Sequence, residues 1–420
     1  MMGIARSRAG GAVVATALGV LMGFGATLSA YAQEKTEITF SYLWGGAEAK
    51  ALEELIADYN ASQDKIVVKG VSSPDTTKQL ASMSSSNGAF DISDHFGSAV
   101  GSWASKGILA PLDDLGIDVA DFVPAAVSQV TYDGKLYSLP IAVHDYQLLY
   151  NKKLLADAGV EPPKTMDELA AAIKALTKVD GDGNITQLGL GSAYMPTTMV
   201  VLGYAFGGEW NAGGQPSPAD ANNIKGINFY VDNVVKPYGA SAVNKFIAGF
   251  GPYMSPQDPF VQGKMAMVID GEWRSASLGS AEGFEWGAVS IPAATPELAD
   301  TTLVEVSTLF IPANSKHKAE AGEFLKYLGS PDVMAKFTRA LGNLPARTSL
   351  LGNDIYADLP NYDAWLSSLK SPNAKSFSSA PYSAEYSADL GSAFEAIAQG
   401  SQTAEDAMKG VADRSGSYAQ

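Results

Sequence analysis

Apolar and polar positions alternate through EITFSYL (37–43), a β-branched and aromatic run with the two-residue period of a strand. The period then changes. Leu52, Leu55, Ile56 and Tyr59 fall at i, i+3, i+4 and i+7, which is one face of a helix. KIVVKGV (65–71) returns to the strand pattern, and a polar helix follows near 76–85. AFDIS (89–93) reads as a third strand, and the next helix carries Trp103 and stops at Gly107. This β-α-β-α-β order predicts a largely parallel sheet with helices on its faces. In such sheets ligands gather beyond the carboxyl ends of the strands. Those ends are Trp44-Gly45-Gly46 and Asp94-His95-Phe96-Gly97-Ser98.

A second α/β section follows. In YDGKLYSLPIAVHDYQLLYNKKLL (132–155) a turn, an apolar run, a second tyrosine-bearing run and a basic helix start lie end to end, with polar HDYQ in the middle. Thr165-Met166-Asp167-Glu168 has the capping-box spacing behind Pro162 and Pro163, and Leu169, Ile173 and Leu176 form a buried face. Residues 196–206 and 223–236 read as helices. KMAMVID (264–270) is a strand between Gly263 and Gly271, and VEVSTLFI (304–311) is another. The remainder is mainly helical, with Leu390, Phe394 and Ile397 on one face. There are no internal repeats.

The first 32 residues stand apart from this pattern. Arg6 and Arg8 precede the apolar run 11–30, and Ala30-Tyr31-Ala32 forms a small-x-small exit. That predicts a secretory signal peptide cleaved after Ala32, in preference to an uncleaved anchor, and so an exported protein. No cysteine follows the apolar run, which excludes a lipid-anchored start. Cleavage leaves 388 of 420 residues, a length suited to two domains. It also removes both arginines, so 27 basic residues face 45 acidic ones and the net charge moves from −16 to −18. Such a surface argues against nucleic acid and anionic membranes as partners. The absence of cysteine removes disulfides and thiolate metal sites, and no other stretch nears transmembrane length.

Enzyme signatures are thin. The three histidines are scattered, and HExxH, GxSxG and Walker loops are absent. His95 and His144 with Asp145 make weak grounds for acid–base chemistry, so neither catalysis nor a cofactor is expected. DGDGNIT (180–186) resembles part of a calcium loop, but Ile185 stands where glycine belongs and Gly191 where the final glutamate belongs; turn chemistry accounts for it. Trp44, Trp210 and Trp273 are more informative, because they follow or precede glycines at element ends (LWGG, GGEW, DGEW). An indole on such a turn can stack on the apolar face of a sugar ring while nearby polar groups bind its hydroxyls. Trp103, Trp286 and Trp365 are assigned to packing.

Four segments together carry a resemblance: YDGKLYSLPIAVHDYQLLYNKKLLADAGVEPPKTMDEL (132–169), FVQGKMAMVIDGEW (260–273), IPANSKHKAEAGEFLKYLGSP (311–331) and NLPAR (343–347). With them the chain resembles the extracellular solute-binding proteins of sugar-binding family 1, the periplasmic receptors of ABC importers related to maltose-binding protein. The resemblance implies an α/β, two-lobe periplasmic-binding-protein fold with hinged lobes and an interlobe ligand cleft. Its lobes would be 33–143 with 308–355 and 144–307 with 356–420. It implies a monomer that binds a mono- or oligosaccharide and delivers it to ABC permease subunits in the inner membrane. HDYQ would be the crossover between lobes, with His144 reaching the cleft and Tyr146 on the same side by alternation. Trp273 corresponds to the family's stacking aromatic. Trp44, Gly45, Asp94, His95 and Ser98 would line the first lobe's side, and Tyr194 and Tyr386 the second's, with Arg347 a possible donor to hydroxyls or an anion. Gly45-Gly46-Ala47 stand where some sugar receptors carry charged side chains, leaving backbone or Glu48 to bond there. Two rivals remain: a receptor of the same fold for a polyamine or acidic solute, for which Asp94, Asp145 and Glu272 could form a carboxylate cluster, and a secreted carbohydrate-active enzyme.

Overall fold

The predicted opening run forms strand β1 (Thr36–Tyr42), helix Gly46–Ser62, strand β2 (Ile66–Ser72), helix Thr76–Ser84 and strand β3 (Ile92–Phe96). The computed structural model describes residues 35–418 apart from Pro74, Asn353 and Ser378; the predicted signal peptide lies outside the described residues. β1 is parallel to both neighbours, with Thr36 opposite Ile66 and Phe40 opposite Ile92. Its alternate residues Ile38, Phe40 and Tyr42 are buried, as are Leu52, Leu55, Ile56 and Tyr59 on the helix. β3 starts later than AFDIS suggests. The Asp91 carboxylate accepts the Thr39 N–H at 3.0 Å and the Ser315 hydroxyl at 2.7 Å, so this residue anchors a loop and Asp94 and His95 belong to the strand itself.

The main sheet continues with β4 (Ser138–Asn151), β5 (Ile185–Ser192), β6 (Met265–Gly271), β7 (Trp286–Val289) and β8 (Thr302–Phe310). Along its main path the order is β2-β1-β3-β8-β4-β6-β5, with short strands at the edges. β4 is 14 residues long and changes partner midway. Ser138 to Asp145 pair with β8, and Tyr146 to Tyr150 pair with β6, both antiparallel. HDYQ is therefore the step between two halves of one sheet. The β4–β8 register slips between Ser307, opposite Ala142, and Thr308, opposite Pro140. Proline has no N–H for the ladder, which is why it sits at such irregularities.

Register also fixes where the strand ends point. β3 ends at Phe96 opposite Ser307 of β8, near Ala142 of β4. β6 approaches from the other direction and ends at Gly271 opposite Tyr146. The carboxyl ends of the two sets of strands therefore meet about residues 143–145, the place the sheet rule assigns to a ligand. Among the described residues no helix is long and apolar enough to cross a membrane.

Candidate functional site

Two side chains of β4 define the step. His144 and Tyr146 both approach Trp273, with ring centroids 5.8 and 5.4 Å away in edge-to-face geometry. Asp145 must point to the opposite face, because side chains alternate along a strand. Trp273 lies two residues past the end of β6 and immediately precedes the helix Arg274–Gly279. Its ring folds back over its own turn: a Cβ on Gly271 would lie 2.0 Å from the indole, so glycine is required there. The indole Nε1–H donates to the Tyr253 hydroxyl at 2.9 Å, which donates to Asp270 at 2.8 Å. Arg274, about 1% exposed, bonds Asp270 at 3.0 Å and Asp258 at 2.9 Å, and its guanidinium lies 4.6 Å from the Tyr253 ring centre. The platform is thus tied to a buried ion-pair network.

Beside it is a cavity of about 320 Å³ lined by Tyr146, Tyr194, Thr197, Tyr253, Asp270 and Trp273, together with Ala193 and Ile269. His144 approaches it from the Trp273 side. Nδ1 is 2.7 Å from Glu272 and Nε2 is 2.9 Å from the Ser307 hydroxyl. Burial opposes charge on the ring, yet Glu272, Glu305 and Glu48 together raise its pKa. Glu305 faces His144 across the β4–β8 ladder and accepts the Tyr146 hydroxyl. Glu48, in the first turn of the helix after β1, is raised by burial, against which the His144 charge acts. That coupling joins the Trp44-Gly45 tip to the Trp273 side.

Trp44 is half-buried against Phe337 at 5.5 Å, Gly45 is exposed, and Tyr194 is 66% exposed. Ser98 is exposed just past β3, whereas His95 turns its ring toward Trp103 at 4.6 Å. Asp94 is buried and accepts the Leu43 N–H at 2.7 Å. Burial first, and Glu48 in addition, lift its pKa to about 7.

Several expectations need correction. Trp210 has no exposed surface; it packs against Phe394 at 5.6 Å and donates to the Val200 carbonyl at 3.0 Å. Tyr386 is equally buried, its hydroxyl on the Trp210 carbonyl at 2.8 Å. Both are core rings. Arg347 is committed elsewhere, to Asp121 at 3.0 Å, the Gly329 carbonyl at 2.7 Å and the Phe122 ring face. Asp145 bonds Ser368 and Gln147 on the far face, and burial raises its pKa well above the usual carboxylate range. Glu272 is sealed beneath His144, where it orients the imidazole. Asp94, Asp145 and Glu272 therefore make no carboxylate cluster open to a ligand. In DGDGNIT the Asp180 carboxylate is spent on the N–H groups of Asp182 and Asn184, and among the described residues no group of three acids or histidines could hold a metal.

The aromatic-lined cavity lies beside the strand-partner switch of β4. Residues 54–364 match the bacterial extracellular solute-binding protein family, and the chain belongs to that family of solute receptors. It is similar to the maltotriose-binding protein of Pyrococcus abyssi, 26% identical over 265 residues, 60% of this chain and 54% of that protein. It is also similar to the diacetylchitobiose binding protein DasA of Streptomyces coelicolor, 27% identical over 269 residues, 60% of this chain and 59% of that protein. The chain thus spans between about half and three fifths of these curated relatives. Among solved structures, CpMnBP1 with mannotriose bound is similar at 26% identity and a TM-score of 0.77, over 91% of this chain and 100% of that one. The fold is the mixed α/β periplasmic-binding-protein fold.

Proposed function

We propose that this protein is the solute-binding component of an ABC importer, exported with cleavage after Ala32, and that it binds a carbohydrate beside Trp273 and hands it to permease subunits in the inner membrane. The observation that carries the reading is the indole itself, half-buried at a strand end, tied at its N–H, and flanked by a tyrosine-walled cavity. In this reading the ring takes the apolar face of a sugar, while Thr197 in the cavity lining and the nearby His144 meet its hydroxyls. Relatives named for maltotriose and diacetylchitobiose, and a similar structure holding mannotriose, support the solute class.

In this reading the lobes 33–143 with 308–355 and 144–307 with 356–420 close about the Asp145–Tyr146 step of β4. Ligand favours the closed form through contacts it makes only there, and the solute leaves chemically unchanged. Calorimetric titration with neutral, amino and acidic oligosaccharides, paired with solution scattering, tests it. Saturable heat together with a smaller radius of gyration is expected. No heat with any saccharide would overturn the carbohydrate assignment, and binding without compaction would overturn the closure.

A further inference from the structure

Half of the residues lining the cavity beside Trp273 are aromatic. Tyr146, Tyr194, Tyr253 and Trp273 present four aromatic rings around about 320 Å³, with Asp270 in the lining. Aromatic faces carry negative quadrupole charge, and rings grouped around a small space attract cations as well as apolar groups. Charge around His144, whose ring lies 5.8 Å from that of Trp273, has the same sign. Glu272, Glu305 and Glu48 all act on His144, the one positive group among them. At 2.7 Å from Glu272, that imidazole can offset one carboxylate. Glu305 receives only the neutral Tyr146 hydroxyl. Among the described residues, neither a hydrogen bond nor an ion pair reaches the half-buried Glu48 carboxylate.

The usual remedy, a lysine or arginine, is not found there. Among the described residues none lines the cavity, and none is ion-paired with Glu48, Glu272 or Glu305. Arg274 lies behind the Tyr253 wall, but Asp258 and Asp270 already neutralise it twice over. Partly buried carboxylates without a counter-charge are costly, and an incoming solute is the remaining source of one.

We propose that the solute recognised is an amino saccharide, a sugar of the glucosamine type whose free ammonium is received by Glu305 and Glu48 beside the aromatic wall while a ring face rests on Trp273. This rests on the carbohydrate reading and deepens it. The same arrangement turns away uronates and sugar phosphates, which would add negative charge where none can be offset.

The test is titration calorimetry on the full chain with four probes at neutral pH: glucosamine disaccharide with free amines, its diacetylated form, a galacturonate disaccharide, and spermidine. The free-amine sugar should bind about tenfold or more tighter than the acetylated one, the scale of one charge pair, and the uronate should not bind. Glu305→Gln keeps an acceptor for Tyr146 and Glu48→Gln keeps the side-chain size. Each should lower affinity for the free-amine sugar by more than it lowers affinity for the acetylated one, shrinking the amine preference by about threefold or more. Equal affinity for the two sugars, or a preference that survives both variants, overturns the amino-saccharide proposal and leaves the carbohydrate reading standing. Binding of spermidine with no saccharide bound overturns both.

Discussion

Trp273 and Trp44 occupy corresponding places, each on a glycine-bearing turn at the carboxyl end of a strand, yet they are held very differently. Trp273 has two rings at its edges, a hydrogen bond at its nitrogen and Gly271 beneath it. Trp44 leans on Phe337 and is followed by two exposed glycines. The buried acids behind them differ in parallel. Asp270 has Arg274 against it, and its pKa rises only to about 6 under burial. Asp94, beneath the Trp44 tip, has the Leu43 N–H and no cation, and burial carries it to about 7. In the proposed cleft, Trp273 would be the preorganised wall and the Trp44 tip the adjustable one. Preorganised groups bind without an ordering cost, whereas adjustable ones give up part of their contact energy to be fixed. Trp273 should therefore supply affinity, and the Trp44 tip should supply fit.

The largest effect is expected of Arg274→Met. It leaves Asp258 and Asp270 buried without their cation, and removing one partner of a buried pair costs about 3–5 kcal/mol. Urea denaturation should show that loss; a cost below about 1 kcal/mol, the level of an exposed pair, would mean the network does not hold the platform. The opposite wall offers the reverse experiment. A carboxyl whose folded pKa is raised keeps its proton longer in the folded state than in the unfolded one. Its contribution to stability is thus greatest in acid and falls as pH rises from about 4 to about 7. Asp94→Asn cannot ionise but keeps an acceptor for Leu43. It should match the parent near pH 4 and exceed it at pH 8 by on the order of a few kcal/mol. A variant less stable than the parent at pH 8 would show that the charged form is the one the fold favours.

Affinity changes come next in size. Trp273→Ala should lose stacking worth about 1–3 kcal/mol, tenfold to hundredfold in Kd. Trp44→Ala should cost about 1 kcal/mol or less, since part of its contact energy goes into ordering the tip. Titration of both variants with one saccharide decides the matter. Equal losses would erase the distinction between the walls.

Much of this arrangement can be read in the sequence, for identifiable reasons. Alternation places His144 and Tyr146 on one side of β4, and the same period-two geometry rules out Asp145, which the polar HDYQ run offered as a candidate. Trp273 was legible because DGEW closes an apolar strand. Trp210, in GGEW, carries the same local signature and is a core residue, because glycines near an indole also mark close packing: a Cβ on Gly203 would lie 2.7 Å from that ring. Sequence proximity cannot separate the two cases; only what covers the other face can. Arg347 found Asp121, 226 residues away, a pairing that no local pattern encodes. Tyr253 sits in an irregular loop with no period to mark it. Glu305 was detectable in principle, as one charge inside an otherwise apolar strand, where an ionised side chain is rarely left without a purpose.

The finest probe of the comparison is the pair of glycines after Trp44. Gly46 has φ +57°, in the left-handed region, with open space where a Cβ would stand. Gly46→Ala should therefore cost only the backbone penalty, about 1–2 kcal/mol. Gly45 is extended, with φ −132°, and it too has nothing within 4 Å of an added Cβ. Gly45→Ala should thus leave thermal stability within about 0.5 kcal/mol of the parent. By limiting the tip's unbound conformations, it should leave sugar affinity unchanged or slightly improved. At Gly271 the added methyl would overlap the Trp273 ring, so an alanine there should abolish the platform. If Gly45→Ala proved as damaging as Gly46→Ala, the Trp44 tip would be fitted as closely as its counterpart, and the two walls of the crevice would have to be treated as equally rigid.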